Sequence, residues 1–160
     1  MIVAVTGTPG TGKTSATRLL EDLYPVIHIN ELVKEKEFYV GVDEMRDCLI
    51  ADTEKISEYV HGKHKEIEKD RVLIIECHYS HLLCPDITIV LKTDTSVLMG
   101  RLEAKGFGKH KMGENIEAEI MGVILVEAVE ICKDVNIIDT TKKSVEDVAR
   151  SIKETIETGV

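Results

Sequence analysis

One octapeptide near the amino terminus constrains the fold more than any other part of the chain: Gly7-Thr8-Pro9-Gly10-Thr11-Gly12-Lys13-Thr14. It follows the apolar run 2–6 and precedes a segment with helical spacing, so it predicts a strand, a glycine-rich turn and a helix in succession. Glycines allow backbone amides to turn inward around a polyphosphate, and the helix N-terminus adds a favourable dipole. Lys13 would reach the β- and γ-phosphates, and Thr14 would offer its hydroxyl to Mg²⁺. The predicted nucleotide-binding residues here are Gly10, Gly12, Lys13, Thr14 and Ser15.

Short apolar runs rich in β-branched residues recur along the chain and alternate with segments of helical spacing. Because such alternation is typical of a parallel sheet covered on both faces, the sequence predicts an α/β fold with a five-stranded parallel sheet. The predicted strands are 2–6, 26–29, 72–76, 87–91 and 135–139. No repeat or linker interrupts the pattern, so residues 1–160 are expected to form a single domain of the P-loop NTPase type.

Apolar residues three and four positions apart predict the helices. Leu19, Leu20 and Leu23 are expected along one side of a first helix that begins near Lys13. Further helices are predicted to end near Lys69, to end before Gly106, and to cover 114–132 and 144–156.

Two segments do not fit a minimal sheet of this kind. The stretch 30–52 is a polar, acidic insertion, in which Lys34 and Arg46 are available to clamp a second phosphorylated substrate. The stretch 105–113 contains three glycines around two lysines and a histidine, and it is expected to be a mobile basic loop. Functional loops commonly occupy such insertions.

The predicted strand 72–76 ends in a carboxylate, Glu76. A phosphate-binding loop needs an acidic partner for Mg²⁺, so Glu76 would hold the metal through a water or polarise a nucleophile. A strand-end carboxylate that only faces solvent is the alternative. His78, two residues further on, would orient a water or relay a proton, unless it is merely hydrogen-bonded.

Phosphoryl transfer concentrates negative charge and needs cations that converge on the phosphates. Arg101 and Lys105 stand at the entrance to the basic segment, and with Lys109 and Lys111 they form a candidate lid over the donor nucleotide. A solvated basic loop is the alternative. Lys142 follows the last predicted strand, where it would edge the adenine or simply belong to a capped helix start.

The charge and the cysteines exclude several classes of protein. Twenty Lys and Arg against twenty-nine Asp and Glu give a net charge of −9. This sign repels nucleic acid and anionic membranes, so we expect neither nonspecific nucleic-acid binding nor a membrane partner. The four cysteines have neither the spacing of a zinc site nor the density of a disulfide scaffold, which predicts reduced thiols in a cytoplasmic protein. The histidine pairs at i, i+3 spacing also lack an evident third metal ligand.

Further segments match one known family. They are Asn30, the run 39–44, Asp47-Cys48, the LKTDTSVL run from Lys92, 101–103, 114–116 and Glu119-Ile120. With the octapeptide, they resemble the adenylate-kinase-like nucleoside monophosphate kinases, and among them the small branch that includes the coilin-interacting nuclear ATPase and its archaeal counterparts. The resemblance covers nearly the whole chain.

This resemblance implies ATP as substrate in the glycine-rich loop, Mg²⁺ as cofactor, a monophosphate-binding region near 30–53 and a short lid near 104–114. It implies adenylate kinase activity, in which ATP and AMP give two ADP, together with ATP hydrolysis. It also implies a role in late maturation of the small ribosomal subunit, through a basic small-subunit ribosomal protein on the pre-40S or 30S particle. The candidate catalytic residues are Lys13, Glu76, His78 and Arg101.

The chain departs from this family in two places. The usual Asp-x-His motif is Glu76-Cys77-His78 here, and the extra methylene moves the carboxylate. Lys105 stands where a second arginine is usual, and it lacks the bidentate fork of arginine. We therefore expect a modest kinase in which hydrolysis rivals transfer. Two other functions stay open: a P-loop kinase for another small-molecule acceptor, and an assembly factor whose nucleotide only sets its conformation.

Overall fold

A computed structural model describes residues 1–46, 48–67 and 71–159. The strands are β1 (Ile2–Thr6), β2 (Val26–His28), β3 (Tyr39–Asp43), β4 (Cys48–Ala51), β5 (Leu73–Glu76), β6 (Ile87–Lys92) and β7 (Val135–Asp139). Five of them form a parallel sheet in the order β2-β5-β1-β6-β7, and β3 pairs with β4 in an antiparallel hairpin. The five-stranded parallel sheet predicted from the sequence is confirmed.

The helices are α1 (Lys13–Arg18), α2 (Ile29–Glu35), α3 (Thr53–Glu66), α4 (Thr95–Ala104), α5 (Lys109–Met121), α6 (Val123–Ile131) and α7 (Val145–Thr158), with a short 3₁₀ turn at Ser80–Leu83. None of the helices among the described residues is both long and apolar enough to cross a membrane.

The sheet is buried on both faces, and alternate residues of β1 divide the core. Val3 and Val5 pack with residues of α7, whereas Ile2 and Ala4 pack with residues of α2 and α3. This division follows from the two-residue period of a strand, whose successive side chains point to opposite faces. Because both faces are covered, the carboxyl ends of the strands are left as the open edge on which a site can form.

Capping residues fix the start of the two longest helices. Asp52 accepts a hydrogen bond from the Lys55 amide at the start of α3, and Ser144 accepts one from the Asp147 amide at the start of α7. In α7 the buried residues Val148, Ala149, Ile152 and Ile156 recur with helical period. Both helices are therefore held by local signals and by an apolar face.

Two helix predictions differ from the structure, and a third extends beyond the described residues. Helix α1 ends at Arg18, and the chain continues in tight turns, so Leu19 and Leu23 lie exposed and only Leu20 enters the core. The helix predicted for 114–132 is two helices that meet at Gly122, whose φ of +62° is left-handed. Helix α3 ends at Glu66, and the predicted end at Lys69 lies outside the described residues.

The two segments that break the sheet pattern contain more regular structure than expected. Region 30–53 consists of most of α2, the β3–β4 hairpin and the start of α3. Tyr39 and Leu49 of the hairpin pack against the core on the side of β1 that contains Ile2 and Ala4. Asp47 lies outside the described residues. Lys109 to Gly113, expected to be loop, form the first turns of α5, which leaves only residues 105–108 as the connection after α4.

Candidate active site

The octapeptide wraps around the start of α1, at the carboxyl end of β1. Gly7 has a φ of +139°, and a Cβ added there would lie 2.4 Å from the carbonyl oxygen of Leu91. The Thr11 amide and hydroxyl both donate to the Thr8 carbonyl, at 3.2 and 2.9 Å. The turn is thus closed on itself before the helix begins, in the shape that directs amides toward an anion.

Lys13 lies buried across this turn. Its Nζ donates to the carbonyl oxygens of Gly7 and Thr8, at 2.7 and 3.1 Å. Desolvation lowers the pKa of Lys13 to about 8, although the negative charge of Glu76 opposes this shift. An ammonium held only by carbonyls keeps its full charge available for an incoming phosphate.

Glu76 ends β5 next to β1, and it meets the start of α1. The Thr14 hydroxyl donates to Glu76 Oε2 at 3.1 Å, and His28 Nδ1 lies 2.9 Å from the same oxygen. Glu76 is 3% exposed, so the carboxylate does not simply face solvent. An aliphatic hydroxyl beside a carboxylate is a set of hard oxygen ligands that fits Mg²⁺, which takes its remaining ligands from water and phosphate.

His28, at the end of β2, was not expected from the sequence. Its two ring nitrogens face carboxylates, Glu76 Oε2 and Glu21 Oε1, each at 2.9 Å. The hydrogen bond to Glu76 raises the pKa of His28, and the one to Glu21 adds to this effect. His28 and Thr14 therefore both contact the Oε2 oxygen of Glu76.

His78 follows β5 and lies at the same edge of the sheet. Desolvation by the surrounding atoms, together with the positive charge of Lys13, lowers its pKa to about 4. The ring packs edge-on against Tyr79, with the centroids 4.8 Å apart. The His78 ring is also exposed to solvent at this edge, where it can donate or accept a hydrogen bond.

Arg101 lies on α4, and it faces the phosphate loop from the side of β6 and β7. Its guanidinium donates to the Gly10 carbonyl at 3.4 Å and to the hydroxyl and carbonyl oxygens of Thr140, both at 3.2 Å. The Thr140 hydroxyl in turn donates to the Thr11 carbonyl at 3.0 Å. The Arg101 guanidinium is therefore next to the phosphate loop, hydrogen-bonded to carbonyl and hydroxyl oxygens.

The remaining predicted cations are distributed unevenly. The charge of Lys105 contributes to lowering the pKa of Lys13, and that of Lys111 contributes to lowering the pKa of His78, so both lysines lie near the site. Lys142 and the predicted nucleotide-binding residue Ser15 are exposed.

Two more contacts at this edge were not predicted from the sequence. Glu119 of α5 is a buried carboxylate that accepts a hydrogen bond from the Thr8 hydroxyl at 2.6 Å and one from the Thr93 amide at 2.9 Å. Arg46, at the hairpin tip, lies 3.4 Å from Glu114 of the same helix and 3.4 Å from Asp43. Helix α5 thus touches both the phosphate loop and the inserted hairpin.

Other features of the structure lie apart from this site. Among the described residues, no group of three or more histidine, cysteine, aspartate or glutamate side chains could hold a metal ion. A cavity of about 330 Å³ lined by Pro25 and Val72 opens where β2 and β5 begin. Because ligands of parallel sheets bind at the carboxyl ends of the strands, that cavity is not part of the candidate active site.

Comparison with known proteins agrees with this geometry. Residues 3–122 match a family model described as an AAA domain. A protein of Methanosarcina barkeri (strain Fusaro / DSM 804) named "Putative adenylate kinase" is 45% identical, over 98% of this chain and 86% of that protein. A protein of the same name from Methanocaldococcus jannaschii is 40% identical over the same shares. The chain belongs to the adenylate-kinase-like family.

Solved structures show that the adenylate-kinase-like fold extends beyond these relatives. A shikimate kinase from Acinetobacter baumannii, in complex with shikimate, superposes with a TM-score of 0.60 at 13% identity, covering 98% of this chain and 93% of that one. An uncharacterized protein from Eubacterium ventriosum gives a TM-score of 0.63 at 16% identity, covering 99% and 98%. At these identities the likeness concerns the α/β P-loop fold alone.

Proposed function

We propose that the chain is an adenylate kinase, which transfers the γ-phosphate of ATP to AMP to give two ADP. The observation that carries the proposal is the convergence of Lys13, Thr14 and Glu76 at the carboxyl ends of β1 and β5. The names of the archaeal relatives support the choice of reaction and of ATP as donor.

The donor side follows from the loop geometry. The amides of the glycine-rich turn bind the β- and γ-phosphates, and Lys13 leaves the Gly7 and Thr8 carbonyls to pair with them. Thr14 and Glu76 would hold Mg²⁺, which offsets the charge of the phosphates. Arg101 lies beside Gly10, where its positive charge would stabilise the γ-phosphoryl group during transfer.

The acceptor side lies toward the inserted hairpin. Lys34 lies in the last turn of α2 and Arg46 lies at the hairpin tip, and both are exposed. His78 is exposed at the sheet edge, where it would orient the acceptor or an attacking water. The lid would be completed by Lys105 and by Lys111 of α5.

We further propose that the protein hydrolyses ATP, acts in the cytoplasm, and serves in late maturation of the small ribosomal subunit. The net charge of −9 supports a basic ribosomal protein as partner, because opposite charge steers association. Binding to such a protein should weaken steeply as salt is raised. An affinity that does not depend on salt would contradict this partner.

Replacement of Lys13 by alanine tests the catalytic proposal. We expect ADP formation from ATP and AMP to fall by about two decades or more, because phosphate positioning and charge stabilisation supply most of the catalysis. The measurement is transfer of labelled γ-phosphate to a panel of nucleoside monophosphates and of non-nucleotide acceptors such as shikimate. A variant that retains its turnover would contradict the catalytic function, and labelling of a non-nucleotide acceptor alone would contradict the adenylate kinase assignment.

A further inference from the structure

The contact between Glu119 and the phosphate loop joins three separate parts of the fold. Thr8 lies two residues beyond the end of β1, Thr93 directly follows β6, and β1 and β6 are neighbours in the sheet. One oxygen of the Glu119 carboxylate accepts from the Thr8 hydroxyl and the other accepts from the Thr93 amide. Helix α5 is therefore attached through one side chain to the ends of two adjacent strands.

Thr8 is the position at which the loop is most tightly held. Its carbonyl accepts hydrogen bonds from the Thr11 amide, the Thr11 hydroxyl and Lys13 Nζ, while its own hydroxyl donates to Glu119. When Lys13 binds a phosphate, the Thr8 carbonyl loses its hydrogen bond from the lysine. The bond from Glu119 does not depend on Lys13, so it can keep Thr8 in place through that exchange.

Packing excludes a ligand between the carboxylate and the loop. Only a void of about 10 Å³ lies beside Gly7, Thr8 and Glu119, room for about one water. Glu119 is 7% exposed, so both of its hydrogen bonds are shielded from solvent and charge-assisted. A buried anion this near a phosphate site would by charge alone disfavour a nucleotide, so its benefit must lie in the geometry that it imposes.

We infer that Glu119 is a positioning residue that holds the phosphate loop in its nucleotide-binding shape through the Thr8 hydroxyl. The inference rests on the proposed function of the loop and concerns the affinity for the donor nucleotide. Because α5 begins with Lys109 and Lys111, the same helix also fixes the lid lysines relative to the loop.

Four variants separate the geometry from the charge. Glu119→Ala removes both hydrogen bonds. Glu119→Gln removes the charge but can keep both bonds, with its oxygen toward the Thr93 amide and its amide toward the Thr8 oxygen. Thr8→Val removes the hydroxyl, and Thr8→Ser keeps it. Glu117→Ala, an exposed change two residues away on α5, is the matched control.

Equilibrium binding of MgATP and MgADP by calorimetry is the readout, with the thermal midpoint of each apo variant recorded beside it. We expect Glu119→Ala and Thr8→Val each to weaken nucleotide binding by about tenfold, as the loss of a buried charge-assisted hydrogen bond predicts. Glu119→Gln, Thr8→Ser and Glu117→Ala should stay within about threefold of the wild type. The Thr8→Val/Glu119→Ala double variant should be no weaker than either single variant, because the two share one interaction.

The outcomes distinguish the inference from the proposed function. If Glu119→Ala lowers the thermal midpoint but binds MgATP with unchanged affinity, Glu119 only anchors α5 and the inference is wrong. If Glu119→Gln weakens binding as much as Glu119→Ala, the charge and not the geometry matters, and the inference is again wrong. Both results leave the transfer of phosphate to AMP by the wild type untouched, whereas a wild type that binds no MgATP contradicts both proposals.

Discussion

At the scale of the residue, the state of Lys13 in the nucleotide-free protein has a measurable consequence. Its ammonium is buried against two carbonyls, which lowers its pKa to about 8. Phosphates add negative charge beside the Lys13 ammonium, so nucleotide binding raises the pKa of Lys13 again. The free protein therefore loses the Lys13 proton above this pKa and must take it up when ATP binds.

We expect MgATP binding to take up between about half a proton and one proton per site near pH 8.5, and almost none from Lys13 near pH 6.5, where the ammonium is already charged. Calorimetry in buffers of different ionisation enthalpy measures this uptake. Lys13→Arg is the control, because a guanidinium stays charged at both pH values and should abolish the difference. Equal uptake by the wild type at the two pH values would contradict the expectation.

Replacement of His28 tests how the Glu76 carboxylate is held. His28→Ala leaves a buried carboxylate with one donor fewer, so we expect the free energy of unfolding to fall by about 1–3 kcal/mol. His28→Asn places an amide where Nδ1 stood and should recover part of this loss. Urea unfolding gives the values, and Glu21→Gln serves as the control, because that partner is 46% exposed and should cost less than about 0.5 kcal/mol. Equal losses of unfolding free energy in His28→Ala and Glu21→Gln would show that the His28–Glu76 hydrogen bond stabilises the protein no more than the exposed one to Glu21.

The sequence predicted the residues whose chemistry is local and missed those whose partners are distant. Lys13 and Thr14 belong to one octapeptide, and its spacing predicts their roles. His28 meets Glu76 across 48 positions and Thr8 meets Glu119 across 111, and no periodicity encodes either contact. Glu119 was noted as part of a family resemblance, but only the packing of α5 shows what its carboxylate contacts.

At the scale of the element, buried strands were predictable and irregular connections were not. Strands β1, β5 and β6 are continuous apolar runs, and each lies buried in the sheet. The segment 105–113 contains three glycines, which favoured a loop, yet Gly113 lies within helix α5. A glycine weakens a helix without excluding it. The break at Gly122 depends on a left-handed φ, which one glycine among several does not reveal in advance.

The hairpin gives the prediction at this scale. Arg46 reaches Glu114 and Asp43 at 3.4 Å, a loose pairing at the surface that a phosphate can displace. We expect Arg46→Ala to raise the KM for AMP by about tenfold and to change the KM for ATP by less than about twofold, because the donor loop is untouched. Steady-state kinetics with each substrate varied measures the split.

Glu114→Gln is the matched control for that variant, since it removes the partner of Arg46 and keeps the cation. Its KM for AMP should stay unchanged or fall. A rise in the KM for ATP equal to that for AMP in Arg46→Ala would mean that the hairpin does not define the acceptor site.

At the scale of the whole molecule, the proposed balance between transfer and hydrolysis would depend on how completely the site excludes water. The connection between α4 and α5 is only residues 105–108, and its cation is Lys105. A lid of this size would leave the γ-phosphate accessible to water. The exposed imidazole of His78 lies at the same edge, where it would orient that water.

We therefore expect phosphate release from ATP alone to proceed within about tenfold of the rate of ADP formation in the presence of AMP, because an incompletely closed site discriminates weakly between water and acceptor. Parallel assays of free phosphate and of ADP, with and without AMP, give the ratio, and Lys13→Ala should abolish both reactions because they share one donor site. Strong suppression of phosphate release by AMP, with rapid ADP formation, would contradict the expectation. It would show that binding of the acceptor closes the hairpin and α5 over the phosphates more tightly than the short connection alone can, so that the two inserted segments act as one gate.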